Sequence, residues 1–456
     1  MKEYNHVIIG FGKGGKTLAG ALAAKGFRVA LVERSEKMFG GTCINVACIP
    51  TKALEYQARL HKNSGGDFSA KSERYQTAVA GKNRLTSALR EKNYAKAVSS
   101  GVDVLVGEAS FTDDHHVAVK RPDGTVEELQ GENIYINTGA RPFFPEIPGL
   151  RESRFVYTSE TMMELSRLPQ ELIIIGGGYI GLEFASFYTN FGSHVTILQD
   201  GAEFLPREDA EIARCVLESL SERGVTVLRQ AQVLSVADGP DGATVSVKDP
   251  EGMHELAGQA VLVAAGRRPN LEGLHPERAG VLLTERGAIA VDETLRTSVP
   301  HIFAMGDVTG GLQFTYISLD DSRIVQSQIS GNGKRTTQNR GEIPYSVFLD
   351  PPFSRVGLTE QQAAEKGYSL KIGRLPAAAI PKAQVIKQPT GLLKVIVDGD
   401  TDRILGAHLF CAESHEMINL VKLAMDSGLP YTALRDAVYT HPTMSEAFND
   451  LFASVR

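Results

Sequence analysis

Two cysteines separated by four residues are the most reactive pair of side chains that the 456-residue sequence places close together. Cys43 and Cys48 lie in GGTCINVACIPTK (40–52), near the start of an expected helix. A helix N-terminus lowers the pKa of a thiol and favours the nucleophilic thiolate. Pro50 cannot donate a hydrogen bond to the carbonyl of Val46, so we expect it to distort this helix.

Zinc binding is the alternative role for a close cysteine pair. Zinc sites of this kind use C-x2-C spacing and a second pair of ligands elsewhere, and the chain offers neither. Cys215 and Cys411, the other two cysteines, lie in apolar surroundings and are expected to pack as small hydrophobic residues. The neighbours His115 and His116 indicate a solvated strand or turn. We therefore predict no metal site and a redox role for the pair.

Two glycine-rich segments have the spacing of dinucleotide-binding loops. HVIIGFGKGG near the start and LIIIGGGYIG at 172–181 each place G-x-G-x-x-G between an apolar strand and a helical stretch. The six glycines are Gly10, Gly12, Gly15, Gly176, Gly178 and Gly181. The first glycine of such a motif makes a tight turn, the second lets the backbone approach a pyrophosphate, and the third lets helix and strand pack closely. The chain therefore contains two copies of one strand–turn–helix–strand unit.

The residues that end the second strand of each unit stand where such units bind the ribose of a dinucleotide. They are Glu33 and Gln199, at equal distances from the first glycine (33 − 10 = 23 and 199 − 176 = 23). An acidic residue there binds ribose hydroxyls. Gln199 is neutral, and no arginine pair stands nearby for a 2′-phosphate, Arg207 being the nearest arginine; this favours NADH and leaves NADPH open. Two such sites imply electron transfer between a resident and an exchangeable cofactor, for which FAD and NAD(P)H are the natural pair.

Composition limits the class of protein. The chain is 42% hydrophobic and 22% charged, as expected for a soluble globular protein, and its length suggests about three domains. The net charge of −6 and the lack of a basic stripe argue against nucleic-acid and anionic-membrane partners. The N-terminal apolar run is too short for an export signal, and no stretch approaches a membrane span, so we expect a cytoplasmic protein.

The cysteine motif, the glycine loops and their order resemble the class I pyridine nucleotide–disulfide oxidoreductases over essentially the whole chain. Four further segments carry the resemblance: NTGARP (137–142), AAGRRPN (264–270), TSVPHIFAMGD (297–307) and HPTMSE (441–446). The resemblance implies an α/β fold with two Rossmann-like dinucleotide-binding domains and a C-terminal α+β dimerisation domain. We expect an FAD-binding domain in 1–150 and 270–335, an NAD(P)H-binding domain in 151–269 and the dimerisation domain in 340–456.

The resemblance also implies roles for the reactive residues. Cys48 lies beside the flavin as the charge-transfer thiolate, and Cys43 meets the substrate. His441, oriented by Glu446, is the general acid and base for Cys43. In the family this dyad comes from the other subunit, so the resemblance implies an obligate homodimer whose active sites span the interface.

The cofactor-binding positions follow from the same resemblance. Lys52 and Glu183 pair near the flavin N5, and Tyr179 covers the nicotinamide pocket until NAD(P)H enters. The residues expected to bind tightly held FAD, one per subunit, are Gly10, Gly12, Gly15, Glu33, Gly41, Thr42, Lys52, Thr138, Gly139 and Asp307. Those expected to bind NADH or NADPH are Gly176, Gly178, Tyr179, Ile180, Gly181, Gln199 and Gly266.

Two features of the sequence bear on the substrate: the lack of C-terminal cysteines and the similarity of two segments to a bacterial subgroup. No cysteine follows Cys411, so the C-terminal pair of a classical mercuric reductase is absent. The segments 306–325 and FLPRED (204–209) are similar to a bacterial subgroup, the reactive-chlorine-resistance flavoproteins, linked to hypothiocyanous acid and Cu(II) reduction. We predict reduction of a small thiol-reactive oxidant such as hypothiocyanous acid in oxidative-stress defence. The alternatives are a Cu(II) or other metal-ion reductase, a dihydrolipoamide dehydrogenase, and a non-enzymatic flavoprotein.

Overall fold

The N-terminal part of the chain builds a mixed sheet flanked by helices. In the computed structural model, which describes residues 1–456, its elements are β1 (Lys2–Ile9), α1 (Lys13–Ala23), β2 (Val29–Glu33), α2 (Thr42–Asn45), α3 (Cys48–His61), α4 (Phe68–Ser99), β3 (Asp103–Val106), β4 (Glu108–Phe111), β5 (His116–Lys120), β6 (Val126–Ile136) and β7 (Ala140–Pro142).

The middle of the chain repeats the strand–helix alternation. Its elements are β8 (Val156–Thr158), α5 (Ser159–Met162), β9 (Glu171–Ile175), α6 (Tyr179–Phe191), β10 (His194–Gln199), α7 (Ala210–Glu222), β11 (Thr226–Arg229), β12 (Gln232–Asp238), β13 (Ala243–Asp249), β14 (Gly252–Gly258), β15 (Ala260–Val263) and β16 (Arg267–Pro269). The chain then forms β17 (Ile302–Ala304) and α8 (Thr315–Ser330).

The C-terminal part folds around an antiparallel sheet. Its elements are β18 (Tyr345–Val347), β19 (Phe353–Gly357), α9 (Glu360–Glu365), β20 (Leu370–Pro376), α10 (Pro381–Val385), β21 (Leu392–Asp398), β22 (Ile404–Phe410), α11 (Ser414–Asp426), α12 (Thr432–Arg435) and α13 (Ala447–Ala453). The strand order is β18-β19-β22-β21-β20.

The two dinucleotide units have the same topology. The first sheet has the order β3-β2-β1-β6-β5-β4, with β17 paired to β6, so the segment after β16 returns to this sheet. The second sheet, β11-β10-β9-β15-β8, is wholly parallel. Ile9 pairs with Val32 and Ile175 with Leu198, the same offset in both units (32 − 9 = 23 and 198 − 175 = 23). The predicted α/β fold, with two Rossmann-like units and a C-terminal α+β domain, is confirmed.

Two smaller sheets and one shared core hold the units together. Strands β12, β13 and β14 form an antiparallel sheet, and β7 pairs with β16 across the chain crossovers. Leu54 on α3 and Tyr75 on α4 are buried in the same cluster as Leu182 and Phe187 on α6. Burial of such apolar area is the main force that fixes one element on another. This packing sets the helix that follows the cysteine motif against the helix that follows the second glycine loop.

The surface carries apolar side chains in the C-terminal domain. Leu420 and Leu423 on α11 and Val438 after α12 are exposed in the single chain. No helix in the chain combines the length and apolar character needed to cross a bilayer.

Candidate active site

The two cysteines lie on different helices. Cys43 belongs to α2, which ends at Asn45, and Cys48 is the first residue of α3. The expectation that Pro50 distorts a helix containing the pair is wrong. The helix begins at Cys48, so Pro50 lies in its first turn, where a missing N–H leaves no hydrogen bond unmade.

The surroundings of Cys48 favour its thiolate. A hydrogen bond with Cys43 lowers the pKa of Cys48 to about 6, and the hydroxyl of Thr315 and the charge of Lys52 act in the same direction. Thr315 Oγ1 lies 3.4 Å from Cys48 Sγ. The N-terminus of α3 adds its dipole to these effects. The same hydrogen bond, together with burial, raises the pKa of Cys43, so the pair shares one proton with Cys48 as the anion.

Lys52 and Glu183 form the expected ion pair between α3 and α6. Lys52 Nζ lies 2.7 Å from Glu183 Oε2, and its ammonium stands 4.5 Å from the centre of the Phe348 ring. The backbone N–H of Phe348 donates to Glu183 Oε1 at 2.9 Å. The C-terminal domain therefore fixes the carboxylate, and a pair of this kind needs both partners once it is largely withdrawn from water.

The first glycine loop is crowded by backbone. A Cβ on Gly10 would lie 2.2 Å from the carbonyl oxygen of Asn137, and one on Gly15 would lie 2.3 Å from that of Gly10. Gly41, with φ of +80°, packs against Gly12, where a Cβ would meet the Gly12 Cα at 2.5 Å. The motif before the cysteines is thus pressed against the loop that follows β1.

Asn137 holds this loop to β17, although the sequence analysis did not single it out. Its Oδ1 accepts from Gly15 N at 2.8 Å, and its Nδ2 donates to Met305 O at 2.7 Å. Ser318 contributes a second tie, because its hydroxyl accepts from Gly14 N at 3.1 Å. Asn137 is the first residue of the NTGARP segment, and this position in a motif could have identified it from the sequence.

The predicted FAD residues leave polar groups that suit a ligand. Glu33 is buried, which raises its pKa, and its Oε2 accepts from Phe11 N at 3.0 Å. Thr138 Oγ1 is buried without a hydrogen-bond partner. Burial also raises the pKa of Asp307. Thr42 opens α2 close to Gly139, whose φ is +72°. An orphaned hydroxyl and buried carboxyls around a glycine loop fit the ribose and ribitol hydroxyls of a dinucleotide such as FAD.

The second glycine loop is crowded at its ends and open in the middle. A Cβ on Gly176 would lie 2.4 Å from Ala264 O, and one on Gly181 would lie 2.1 Å from Gly176 O. Nothing lies within 4 Å of a Cβ on Gly178 or on Gly266. The open positions are where a nucleotide can approach the backbone.

The side chains of Gln199 and Ile180, near this loop, are engaged in contacts within the chain. The Gln199 amide donates to Gly201 O at 3.2 Å and Glu203 O at 2.5 Å, so its nitrogen is used within its own chain. Its Oε1 faces Gly177, where a Cβ would meet it at 2.4 Å. Ile180 is half-buried and packs on the core beneath α6.

Tyr179, the first residue of α6, has partners that sequence reasoning missed. Its hydroxyl hydrogen-bonds the carboxylate of Glu208 and lies 3.1 Å from the Tyr345 hydroxyl. Glu208 belongs to the FLPRED segment, which the sequence analysis quoted without assigning a role. Tyr345 comes from the C-terminal sheet, more than 160 residues away, so no local pattern could have revealed it.

His441 and Glu446 are hydrogen-bonded to each other but not to the cysteines of their own chain. His441 Nδ1 lies 2.8 Å from Glu446 Oε2, and the Glu446 carboxylate also accepts from Thr443 N at 3.1 Å. The hydrogen bond from His441 lowers the pKa of Glu446. The His441 side chain is 70% exposed, and no hydrogen bond joins it to Cys43 or Cys48.

Cys215 and Cys411 pack into apolar surroundings, and His115 and His116 each have a defined partner. Cys411 is fully buried, and Cys215 is partly buried against the core. The ring of His115 stacks on that of His301 at 3.9 Å between centroids, with its Nδ1 2.9 Å from Gly131 O. His116 is bound by Asp113 in the turn before β5.

Comparison with known proteins places this arrangement among redox enzymes. Residues 4–322 match the pyridine nucleotide-disulphide oxidoreductase family, and residues 343–452 match its dimerisation domain. The probable pyridine nucleotide-disulfide oxidoreductase RclA of Escherichia coli is 50% identical over the full length of both chains. The dihydrolipoyl dehydrogenase of Mycobacterium bovis is 34% identical over 99% of this chain and 98% of its own.

Solved structures agree with these sequence matches. The Cu(II) complex of the HOCl-induced flavoprotein disulfide reductase RclA from Escherichia coli superposes with a TM-score of 0.93 at 50% identity and covers 99% of both chains. The fold, the placement of the cysteine pair and the similarity over the full length lead to one conclusion. The chain is an oxidoreductase that belongs to the pyridine nucleotide-disulphide oxidoreductase family.

Proposed function

We propose that the chain uses NAD(P)H and FAD to reduce a small thiol-reactive oxidant, such as hypothiocyanous acid, through Cys43 and Cys48. The observation that carries the proposal is the Cys48 thiol, which lies 3.4 Å from Thr315 Oγ1 beside the Lys52–Glu183 ion pair and whose pKa is lowered to about 6, chiefly by Cys43. A thiolate at neutral pH is the form that exchanges with a disulfide or attacks an electrophilic sulfur.

The two glycine loops would hold the cofactors. FAD would lie on the loop of Gly10, Gly12 and Gly15, with Glu33 and Asp307 at its ribose and ribitol hydroxyls, in a domain formed by 1–150 and 270–335. When bound, FAD would supply an electron pair, taken as hydride from the nicotinamide, to the cysteine disulfide. NAD(P)H would bind in 151–269, and residues 340–456 would form the dimer interface.

The side chains of the ribose position favour NADH. The Gln199 nitrogen is committed to Gly201 and Glu203, so this residue offers no positive or donor group to a 2′-phosphate. Arg229 on the adjacent strand donates to Ala202 O at 3.3 Å and is one positive charge near this position. A 2′-phosphate site usually carries more local positive charge, such as the arginine pair that the sequence lacks here.

The two thiols would pass two electrons from the reduced cofactor to the oxidant. Two electrons open the Cys43–Cys48 disulfide, leaving Cys48 as thiolate and Cys43 to take a proton from His441 of the partner subunit. Cys43, deprotonated by the same imidazole, attacks the sulfur of hypothiocyanous acid, and hydroxide leaves as water with that proton. Cys48 then attacks Cys43 sulfur, which restores the disulfide and releases thiocyanate. Glu446 keeps the imidazole oriented.

Cu(II) is the second candidate oxidant. A solved structure of the E. coli relative of 50% identity is a Cu(II) complex. Lipoamide, which would be reduced in the reverse of a dihydrolipoamide dehydrogenase reaction, is a third candidate, because a dihydrolipoyl dehydrogenase is 34% identical over nearly the whole chain.

The test is steady-state oxidation of NADH by the FAD-loaded enzyme with each oxidant in turn. We expect the largest kcat/KM with hypothiocyanous acid and low values with Cu(II), lipoamide and oxidised glutathione. Cys43→Ser should abolish turnover of hypothiocyanous acid, whereas Cys215→Ser, which changes a cysteine outside the pair, should leave it unchanged. A higher kcat/KM with lipoamide or Cu(II), or full turnover of hypothiocyanous acid by Cys43→Ser, would reject the proposal.

A further inference from the structure

A buried carboxylate holds the tyrosine at the second glycine loop. The Tyr179 hydroxyl hydrogen-bonds Glu208 Oε1, and the Tyr345 hydroxyl donates to the same oxygen at 2.6 Å. The two tyrosine rings lie 5.6 Å apart between centroids, and Phe314 stacks on Tyr345 at the same distance. Three parts of the chain therefore meet at Tyr179: the second glycine loop, the FLPRED segment and the C-terminal sheet.

Glu208 is fixed by a charge as well as by the tyrosines. Its side chain is fully buried, and its Oε2 lies 3.2 Å from Arg355 Nη1. Arg355 also donates to Arg207 O at 2.7 Å and to Gly357 O at 2.8 Å, so the guanidinium is held independently of the carboxylate. A buried carboxylate with a charged partner and two hydroxyl donors has a defined position, and it forms a strong, charge-assisted hydrogen bond with each hydroxyl.

The geometry lets Tyr179 leave without exposing an unpaired charge. Burial raises the pKa of both tyrosines, so their hydroxyls stay protonated and act as donors. If Tyr179 swings away, Glu208 keeps Tyr345 and Arg355. The free energy needed to move Tyr179 is therefore close to that of one charge-assisted hydrogen bond and one tyrosine–tyrosine contact. It does not include the cost of leaving a buried carboxylate without partners.

We infer that Glu208, held by Arg355 and Tyr345, is a positioning residue that latches Tyr179 in its closed position and thereby sets the affinity for NAD(P)H. The inference rests on the proposed role of Tyr179 as the cover of the nicotinamide site. Because nucleotide binds only the open form, its apparent Kd rises as the closed form gains stability. Weakening the latch should therefore strengthen nucleotide binding.

Glu208→Gln tests the latch directly. The substitution keeps the shape of the side chain and removes its charge, while Arg355 retains its two carbonyl partners. Anaerobic rapid mixing of the FAD-loaded enzyme with NADH gives the Kd from the dependence of flavin reduction on nucleotide concentration. We expect Glu208→Gln to lower this Kd about fivefold, because a neutral hydrogen bond replaces a charge-assisted one.

A double-mutant cycle with Tyr179→Phe separates the latch from a general structural effect. Tyr179→Phe should lower the Kd by at least this factor, because it removes the hydrogen bond altogether. The double variant should gain nothing over Tyr179→Phe, because both changes act on one interaction. Asp209→Asn is the matched control: it neutralises the adjacent buried carboxylate, whose partners are Lys394 and the backbone N–H of Glu211 rather than a tyrosine hydroxyl, and should leave the Kd unchanged.

The outcomes distinguish the latch from the proposed function. An unchanged or higher Kd in Glu208→Gln or in Tyr179→Phe, or additive effects in the double variant, would overturn the latch while leaving the enzyme's function intact. Failure of NADH to reduce the flavin of the wild-type enzyme would instead reject the proposed function. If Glu208→Gln did not fold, Tyr179→Phe alone would still decide, since the latch requires its Kd to fall.

Discussion

The thiol of Cys48 has neighbours that hold it in the ionised form, and this makes a prediction at the scale of single residues. Its pKa is lowered to about 6 from 9.0, so the thiolate, and the long-wavelength absorbance it should give beside FAD, exists above about pH 6 and disappears as the pH falls through that value. Removing the Thr315 hydroxyl takes away one stabilising contact. Thr315→Val should therefore move the midpoint upward by roughly 1 pH unit.

The measurement is a pH titration of that absorbance in the two-electron-reduced enzyme. Thr315→Ser keeps a hydroxyl and should titrate like the wild type. A midpoint that is the same in Thr315→Val and the wild type would show that the hydroxyl does not stabilise the thiolate.

At this scale, sequence reasoning found side chains that lie inside recognisable motifs. Cys43, Cys48, Lys52 and Glu183 were predicted and come together in the structure. Thr315 was missed because it is 267 residues from Cys48 along the chain, and nothing local marks a distant hydroxyl as a partner. Glu208 was missed for the same reason, although its segment was noticed.

At the scale of elements, different glycines of the second loop are needed for packing and for ligand binding. A Cβ at position 181 would press on Gly176 O at 2.1 Å, whereas one at position 178 meets nothing within 4 Å. Gly181→Ala should lower the free energy of unfolding by roughly 3 kcal/mol. Gly178→Ala should lower it by at most about 1 kcal/mol, since alanine is a poorer N-cap than glycine, yet weaken NADH binding roughly tenfold by blocking the pyrophosphate.

Denaturant unfolding and NADH titration of the two alanine variants check this contrast. Equal losses of stability, or normal NADH affinity in Gly178→Ala, would contradict the assignment of the open position to the nucleotide.

The strands and helices around these loops were predictable because strand, glycine turn and helix alternate with one 23-residue offset. The break between α2 and α3 was not. Pro50 predicts a distortion within one helix, whereas the structure has two helices: α2 ends at Asn45 and α3 starts at Cys48, which places Pro50 in a first turn. A proline in a first turn and a proline in a distorted helix look the same in sequence.

At the scale of the whole molecule, no hydrogen bond joins the exposed dyad to the cysteines of the same chain. The proposed shared site therefore predicts how a mixed dimer should behave. A hybrid of one Cys43→Ser subunit and one His441→Gln subunit would contain one intact site if His441 serves the partner's cysteines. Co-expression with two affinity tags isolates the hybrid. It should show about half the wild-type turnover of hypothiocyanous acid, while each homodimeric variant is nearly inactive.

Turnover of the hybrid no higher than that of the two variant homodimers would place His441 and Cys43 in the same subunit's site. The sequence implied a shared site only through the family resemblance. The dyad is exposed in the single chain, and so are Leu420 and Leu423 on α11.

The division of labour between the two thiols is the central claim, and an absorbance spectrum of the FAD-loaded cysteine variants tests it most directly. Cys43→Ser leaves the Cys48 thiolate free, so at pH 8 it should show the long-wavelength charge-transfer band before any NADH is added. Cys48→Ser should show no such band at any stage of NADH titration, and the wild type should develop it on reduction. A band in Cys48→Ser, or none in Cys43→Ser, would contradict the account.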